Sequence, residues 1–387
     1  MTKASIAETP VLRHMIQLDG LRAFAVLAVL LSHFGAPGNL VVRSLPWGTI
    51  GVRLFFVLSG FLITGILLRC RDQRSAGQAS AGQLLGSFYT RRFLRIFPVY
   101  YAVLFAVTLV NIRPTRDLFV WFLTYTSNFH YAARGFQGPG SHFWSLAVEE
   151  QFYLVWPWLI LFTPQRWLVR LNVAIITLGV GYRCLGVSLG WNVLAVQILP
   201  FGCLDSLGLG SLLALFTSGG RTWPLHAHRF ASINFWCGLS VLASLALARG
   251  MAWGYKLEVA LQDWGMAMVF VALVAWGARG MGGLAGKALG WRPLVYIGKI
   301  SYGIYIYHGF MAVVGPRVFG FLGLRAFYQQ FDGLVNTAMT ILLASASWNF
   351  LEAPINRFKE RFSYVGESGK PASGGHRPAD SVVLKNI

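Results

Sequence analysis

Apolar residues in this 387-residue chain fall in long blocks instead of alternating with polar ones at a strand or amphipathic-helix period. A block of about 20 mostly apolar residues is long enough to cross a bilayer as a helix. Ten such blocks are legible, at 18–35, 48–69, 94–112, 144–163, 168–187, 198–216, 233–249, 260–279, 297–319 and 334–354. An eleventh, 118–130 (LFVWFLTYTSNFH), is too short to span and predicts an interfacial or re-entrant piece. The pattern therefore predicts an all-α integral membrane protein of about ten transmembrane helices. It has a short N-terminal segment (1–17), a membrane domain (18–362) and a tail (363–387) rich in Gly, Ser and Pro that reads as disordered. No internal repeat suggests a two-halved transporter.

Charge supplies the orientation. Lys and Arg number 33 against 14 Asp and Glu, a net charge of +19. So basic a chain could be a nucleic-acid binder, but 55% apolar and only 12% charged residues exclude that and any ordinary soluble enzyme. With ten spans and a cytoplasmic N-terminus, 22 of the basic residues fall inside and 8 outside, while Arg22, Arg53 and Arg183 lie within spans. That split obeys the positive-inside rule, and counting 118–130 as a span would invert it. Both termini are thus expected in the cytoplasm and the protein in the inner membrane. The first block is no cleaved signal peptide, because it carries Asp19, Arg22 and His33. Four scattered cysteines, Cys70, Cys184, Cys203 and Cys237, form no CxxC motif and read as small packed side chains, and no metal site is expected.

Ionisable groups at membrane depth are costly and usually functional. Arg53, Asp263 and Glu352 lie near span ends, where snorkelling accounts for them. The first span says more. Arg22 and His33 are eleven residues apart, so they share a face about 16 Å apart, and Asp19 is placed to pair with Arg22. A neutral imidazole such as His33 is the usual general base near pH 7. In the fourth span Ser145, Glu149 and Tyr153 share a face, and the adjacent Glu149 and Glu150 need partners or a water-filled cavity. Both carboxylates are expected at roughly the depth of His33. His308 in the ninth span is either a packed histidine or part of the site. Arg91, Arg92 and Arg95, at the cytoplasmic start of the third span, are either topology anchors or a phosphate site. His14 and Asp19 make an isolated H-x4-D spacing with no companion motif, which carries no weight.

The blocks QLDGLRAFAVLAVLLSH (17–33), GVRLFFVLSGFLIT (51–64), RRFLRIFPVYY (91–101), FWSLAVEEQFYLVWP (143–157) and SYGIYIYH (301–308) resemble, in order, those of the membrane-bound acyltransferase-3 family. The resemblance covers about residues 15–355. Family members O-acylate exported glycans such as O-antigen, exopolysaccharide and peptidoglycan, and some act on Nod factor or macrolides. The family's Arg, ten residues, His pattern falls on Arg22 and His33. Its glutamate falls on Glu149 and Glu150, its arginine pair on Arg91 and Arg92, and the aspartate of its D-x-L-x-x-G block on Asp205. Where many relatives have an acidic residue in the second span, this chain has Arg53. Some relatives also carry a soluble hydrolase-like domain after the membrane part. None is legible here, which implies delivery of the acyl group by the chain itself or with a separate partner.

The resemblance implies an acyl-CoA donor, most often acetyl-CoA, used as co-substrate, and a glycan or glycolipid acceptor. Arg22, Arg91, Arg92 and Arg95 would meet the nucleotide phosphates. His33 would take a proton from a sugar hydroxyl or carry the acyl group itself, and Glu149 would orient the imidazole. Glu150, Tyr153, Asp205 and His308 would support the site. The competing class is a glycan or lipid transporter, which would consume no thioester.

Overall fold

The computed structural model describes residues 15–218 and 224–362. The predicted tail and the first fourteen residues, with Lys3, Arg13 and His14, lie outside that range. Helices make up nearly all of the described chain, with no strand among the described residues. Ten long helices coincide with the ten predicted blocks: α1 (Ile16–Phe34), α2 (Trp47–Ser75), α3 (Ala81–Leu109), α4 (Phe143–Phe162), α5 (Gln165–Ser188), α6 (Leu204–Thr217, led in by a 3₁₀ turn at Pro200–Cys203), α7 (Leu225–Ala248), α8 (Gly254–Arg279), α9 (Ser301–Phe321) and α10 (Arg325–Ser347). Eight of them are long and apolar enough to cross a membrane. The other two, α4 and α9, have 20 and 21 residues. They fall short in apolarity because they carry Glu149, Glu150, His308 and a run of tyrosines. Segment 118–130 breaks into two helices, Phe119–Leu123 and Ser127–Arg134, neither long enough to span.

Helix α3 starts thirteen residues before the predicted block. Ser80 and Gln83 form a capping box that nucleates it, and no breaker intervenes before the apolar run. Arg91, Arg92 and Arg95 therefore lie in the middle of a 29-residue helix instead of at its start. Hydropathy marks where lipid begins, whereas the cap marks where the helix begins.

Helix α2 is the central post, packed against α1, α4, α6 and α8. Small residues let its neighbours approach backbone to backbone. A Cβ on Gly60 would run into the Leu207 carbonyl of α6, and one on Gly210 into the Val57 carbonyl of α2. On the α1 side, Gly51 lies against the Ala25 carbonyl. Helices α9 and α10 pack on each other and on α1. The segment between α8 and α9 folds back over the first half of α1, where Gln17 clasps the Met281 backbone (2.9 and 2.6 Å) and Gly298 meets the Asp19 carbonyl.

Four charges are sealed inside this bundle. Arg53 pairs with Asp263 at 2.6 Å, each 2% exposed, so neither snorkels. Arg183 grips Asp205 with two bonds, 2.6 and 3.0 Å, both side chains fully buried. The two arginines also donate to one carbonyl, that of Gly202 (2.6 Å from Arg183, 3.5 Å from Arg53), and to the carbonyls of Ala260 and Gln197. A buried charge left without such partners would cost several kcal/mol. The network ties α2, α5, α6 and α8 together. It also accounts for Arg53, whose charge is answered by Asp263 on α8. Glu352, too, is buried (3% exposed) and does not snorkel: it sits in a π-helical turn, Trp348–Glu352, that continues α10.

Candidate active site

Helices α1, α2, α3, α4 and α9 enclose a cavity of about 90 Å³. Into it the bundle brings Arg22 of α1, Ser59 of α2, Arg92 and Arg95 of α3, and Ser145, Glu149, Glu150 and Tyr153 of α4, with Tyr302 and Tyr305 of α9 closing the wall. The i, i+4 face of Ser145, Glu149 and Tyr153 thus lines the cavity together with Glu150. Glu149 accepts a 2.5 Å hydrogen bond from the Ser59 hydroxyl, which in turn accepts from the Tyr153 hydroxyl at 3.0 Å. The Arg92 guanidinium lies 5.3 Å from the centre of the Tyr153 ring. Arg95 is 7% exposed and stands over the Trp348 ring at 5.3 Å, and Lys299 lies 5.0 Å from the same ring. One Arg95 terminal nitrogen, Nη1, is buried with no hydrogen-bond partner among the described residues. A donor held that way suits an anion entering the cavity.

Three of the four predicted phosphate-binding arginines line the cavity. Arg91, one position before Arg92, is half-buried and not part of the lining. Asp19 pairs with Arg22 at 3.8 Å, as its spacing predicts. Asp205 is not part of the cavity lining and is locked onto Arg183.

His33 lies elsewhere. It stands exposed at the opposite end of α1 from Arg22, three turns away, or about 16 Å along the axis. There its ring meets that of the fully buried His308, edge on, with centroids 4.8 Å apart. His308 in turn lies 4.4 Å from His142, at the start of α4. Glu149 is two helical turns, about 10 Å, further along α4 than His142 and lines the cavity with Arg22, so it lies nearer Arg22's level than His33's. The expected match in depth between His33 and Glu149 is not found. The two ends are joined by Tyr305, which lines the cavity, shares a 2.6 Å hydrogen bond with Ser145, and touches both His142 (5.6 Å) and His308 (5.3 Å).

Sequence reasoning missed Ser59, His142, Tyr302, Tyr305 and Trp348. The first four sit in or beside the blocks that carry the family resemblance, and Tyr302, Tyr305 and His308 of SYGIYIYH follow at three-residue spacing. Trp348 offered no signal, since its place in the site comes from the π turn.

The sequence matches 30% identically over 377 residues to YrhL of Bacillus subtilis, covering 89% of this chain and 55% of that protein. The O-acetyltransferase OatA of Staphylococcus aureus is 29% identical over 379 residues (89% and 58%), and the peptidoglycan O-acetyltransferase OatA of Listeria monocytogenes 28% over 393 residues (89% and 56%). The chain thus spans a little over half the length of these relatives. No solved structure matches it. The acyltransferase-domain profile of the acyltransferase-3 family matches residues 15–348, which takes in every helix of the cavity and all three histidines, and the chain belongs to that family.

Proposed function

We propose that the protein transfers an acyl group, acetyl from acetyl-CoA, to a hydroxyl of an exported or lipid-linked saccharide at the inner membrane. The observation that carries this reading is the layout along α1: three arginines and a small cavity at one end, a histidine three turns away, and Tyr305 between them. A pantetheine arm is about half a bilayer long, so a donor anchored by its phosphates at Arg22, Arg92 and Arg95 reaches the histidine end. The unmatched Nη1 of Arg95 is the donor such a phosphate would satisfy. His33, exposed at the far end of α1, is open to an acceptor arriving from the other side. It takes the hydroxyl proton as the oxygen bonds to the thioester carbonyl carbon, the carbon–sulfur bond breaks, and the proton passes from the imidazolium to the thiolate. Glu149, held by Ser59, stays with the arginines, where its charge balances the cationic wall. Two of the relatives are named peptidoglycan O-acetyltransferases, which favours peptidoglycan as acceptor over O-antigen or exopolysaccharide.

The test uses the purified protein in nanodiscs with isotope-labelled acetyl-CoA and peptidoglycan fragments or lipid-linked precursors. Acyltransfer predicts acceptor-dependent thiol release and label in the saccharide, both lost in His33→Ala. A glycan transporter would consume no thioester, and that result would overturn the reading. Mass spectrometry of envelope glycans from cells with and without the gene identifies the acceptor.

A further inference from the structure

His308 is more than a packed ring. Its Nδ1 lies 2.7 Å from the Tyr305 carbonyl, which can only accept, so Nδ1 carries the proton. A neutral ring then has a bare Nε2. That nitrogen is fully buried and has no hydrogen-bond partner among the described residues. A buried acceptor left open this way calls for a donor. Four rings surround His308: Phe34 has no donor, and the Tyr305 hydroxyl is already at the Ser145 hydroxyl (2.6 Å) and the His142 carbonyl (3.0 Å), which leaves the two histidines. His142, 5% exposed, already has its nitrogens at the Pro139 and Ile306 carbonyls, 3.0 and 3.2 Å away. His33, edge-on at 4.8 Å, is exposed and has no such tie among the described residues. Gly309 makes room for the arrangement: a Cβ there would strike the His142 ring and the Pro139 carbonyl.

We infer that His308 is a positioning residue for His33: its bare Nε2 accepts the His33 ring N–H, which fixes the tautomer and aim of His33 and leaves the other His33 nitrogen free to take the acceptor's proton. This deepens the acyltransfer reading and rests on it for the role of His33. It gives His308 the orienting task that the family resemblance implies for Glu149, which lies two turns away along α4. A second histidine suits a mostly apolar setting, since it supplies a lone pair without burying a fixed negative charge.

Two substitutions separate positioning from packing. His308→Phe keeps a flat ring and loses the acceptor. His308→Gln loses the ring and keeps an oxygen near the Nε2 position. Positioning predicts that Phe lowers kcat about 10²-fold with little change in KM for acetyl-CoA, whereas Gln stays within about tenfold of wild type. The reverse order, with Phe tolerated and Gln poor, would overturn the proposal. A direct readout needs no turnover. In ¹⁵N-histidine-labelled protein, solid-state NMR should show a ¹⁵N–¹⁵N coupling between His33 and His308 that disappears in His308→Phe. Its absence from the wild type would equally overturn the inference. If His33→Ala keeps full activity while the coupling is present, the catalytic reading of His33 fails and the hydrogen bond stands.

Discussion

Two sets of buried charges lie on either side of α2, and they are built on opposite principles. In the Arg53, Asp263, Arg183 and Asp205 network nearly every donor has an acceptor within 3.5 Å, and among the described residues one carboxylate oxygen, Asp263 Oδ1, is left unmatched. In the cavity, Arg22, Arg92, Arg95, Glu149 and Glu150 surround open volume, and Arg95 keeps a donor unused. Membrane depth alone therefore does not mark a functional charge. The sealed network is architecture, whereas open polar atoms facing a space are chemistry.

The largest effect that tests this contrast lies in the sealed network. Arg183→Ala leaves Asp205 buried without its bidentate partner and should destabilise the fold by about 3–5 kcal/mol. Thermal unfolding and yield in detergent measure it, and activity per folded molecule should change little. The Arg53–Asp263 pair sharpens the point. Arg53→Asp alone puts two acids together and should be as damaging, while Arg53→Asp with Asp263→Arg should regain much of the stability. A swap that restored activity without restoring stability would place these residues in the site after all.

Cavity changes should behave in the opposite way. Glu149→Gln keeps the shape and the Ser59 bond but removes a charge that balances three guanidinium groups. Turnover should fall about 10²-fold with the melting temperature nearly unchanged. Equal losses of stability and activity would erase the distinction between the two regions.

How much of this was legible beforehand divides along the same line. Hydropathy placed all ten long helices, because each must present apolar side chains to lipid or to its neighbours. The i, i+4 face of Ser145, Glu149 and Tyr153 and the Asp19–Arg22 pair follow from helical geometry alone, and both stand in the structure. What failed is whatever depends on which helices meet. Arg53 and Asp263 read as snorkelling because neither sequence neighbourhood contains its partner, 210 residues away. Glu149 was matched in depth to His33 by counting from span ends. The register between α1 and α4 is visible only once the helices are packed, with His142 beside His308 and Glu149 in the cavity, which a single sequence does not reveal. Arg91, Arg92 and Arg95 read as a helix start because the apolar run begins there, although Ser80 had already capped the helix.

The smallest expected effect separates Arg92 from its neighbour. Both arginines read alike in sequence, yet only Arg92 lines the cavity and covers the Tyr153 ring. A lysine keeps the charge but loses the planar fork that grips a phosphate and stacks on an aromatic face. Arg92→Lys should therefore raise KM for acetyl-CoA several-fold with a modest drop in kcat. Arg91→Lys, by contrast, should leave both constants near wild type. Isothermal titration with CoA provides a check independent of turnover, since the affinity loss should appear for Arg92→Lys alone and shrink at high salt, where phosphate contacts are screened. Equal losses at the two positions would mean that the positive field of that face of the protein, and not the cavity wall, holds the donor.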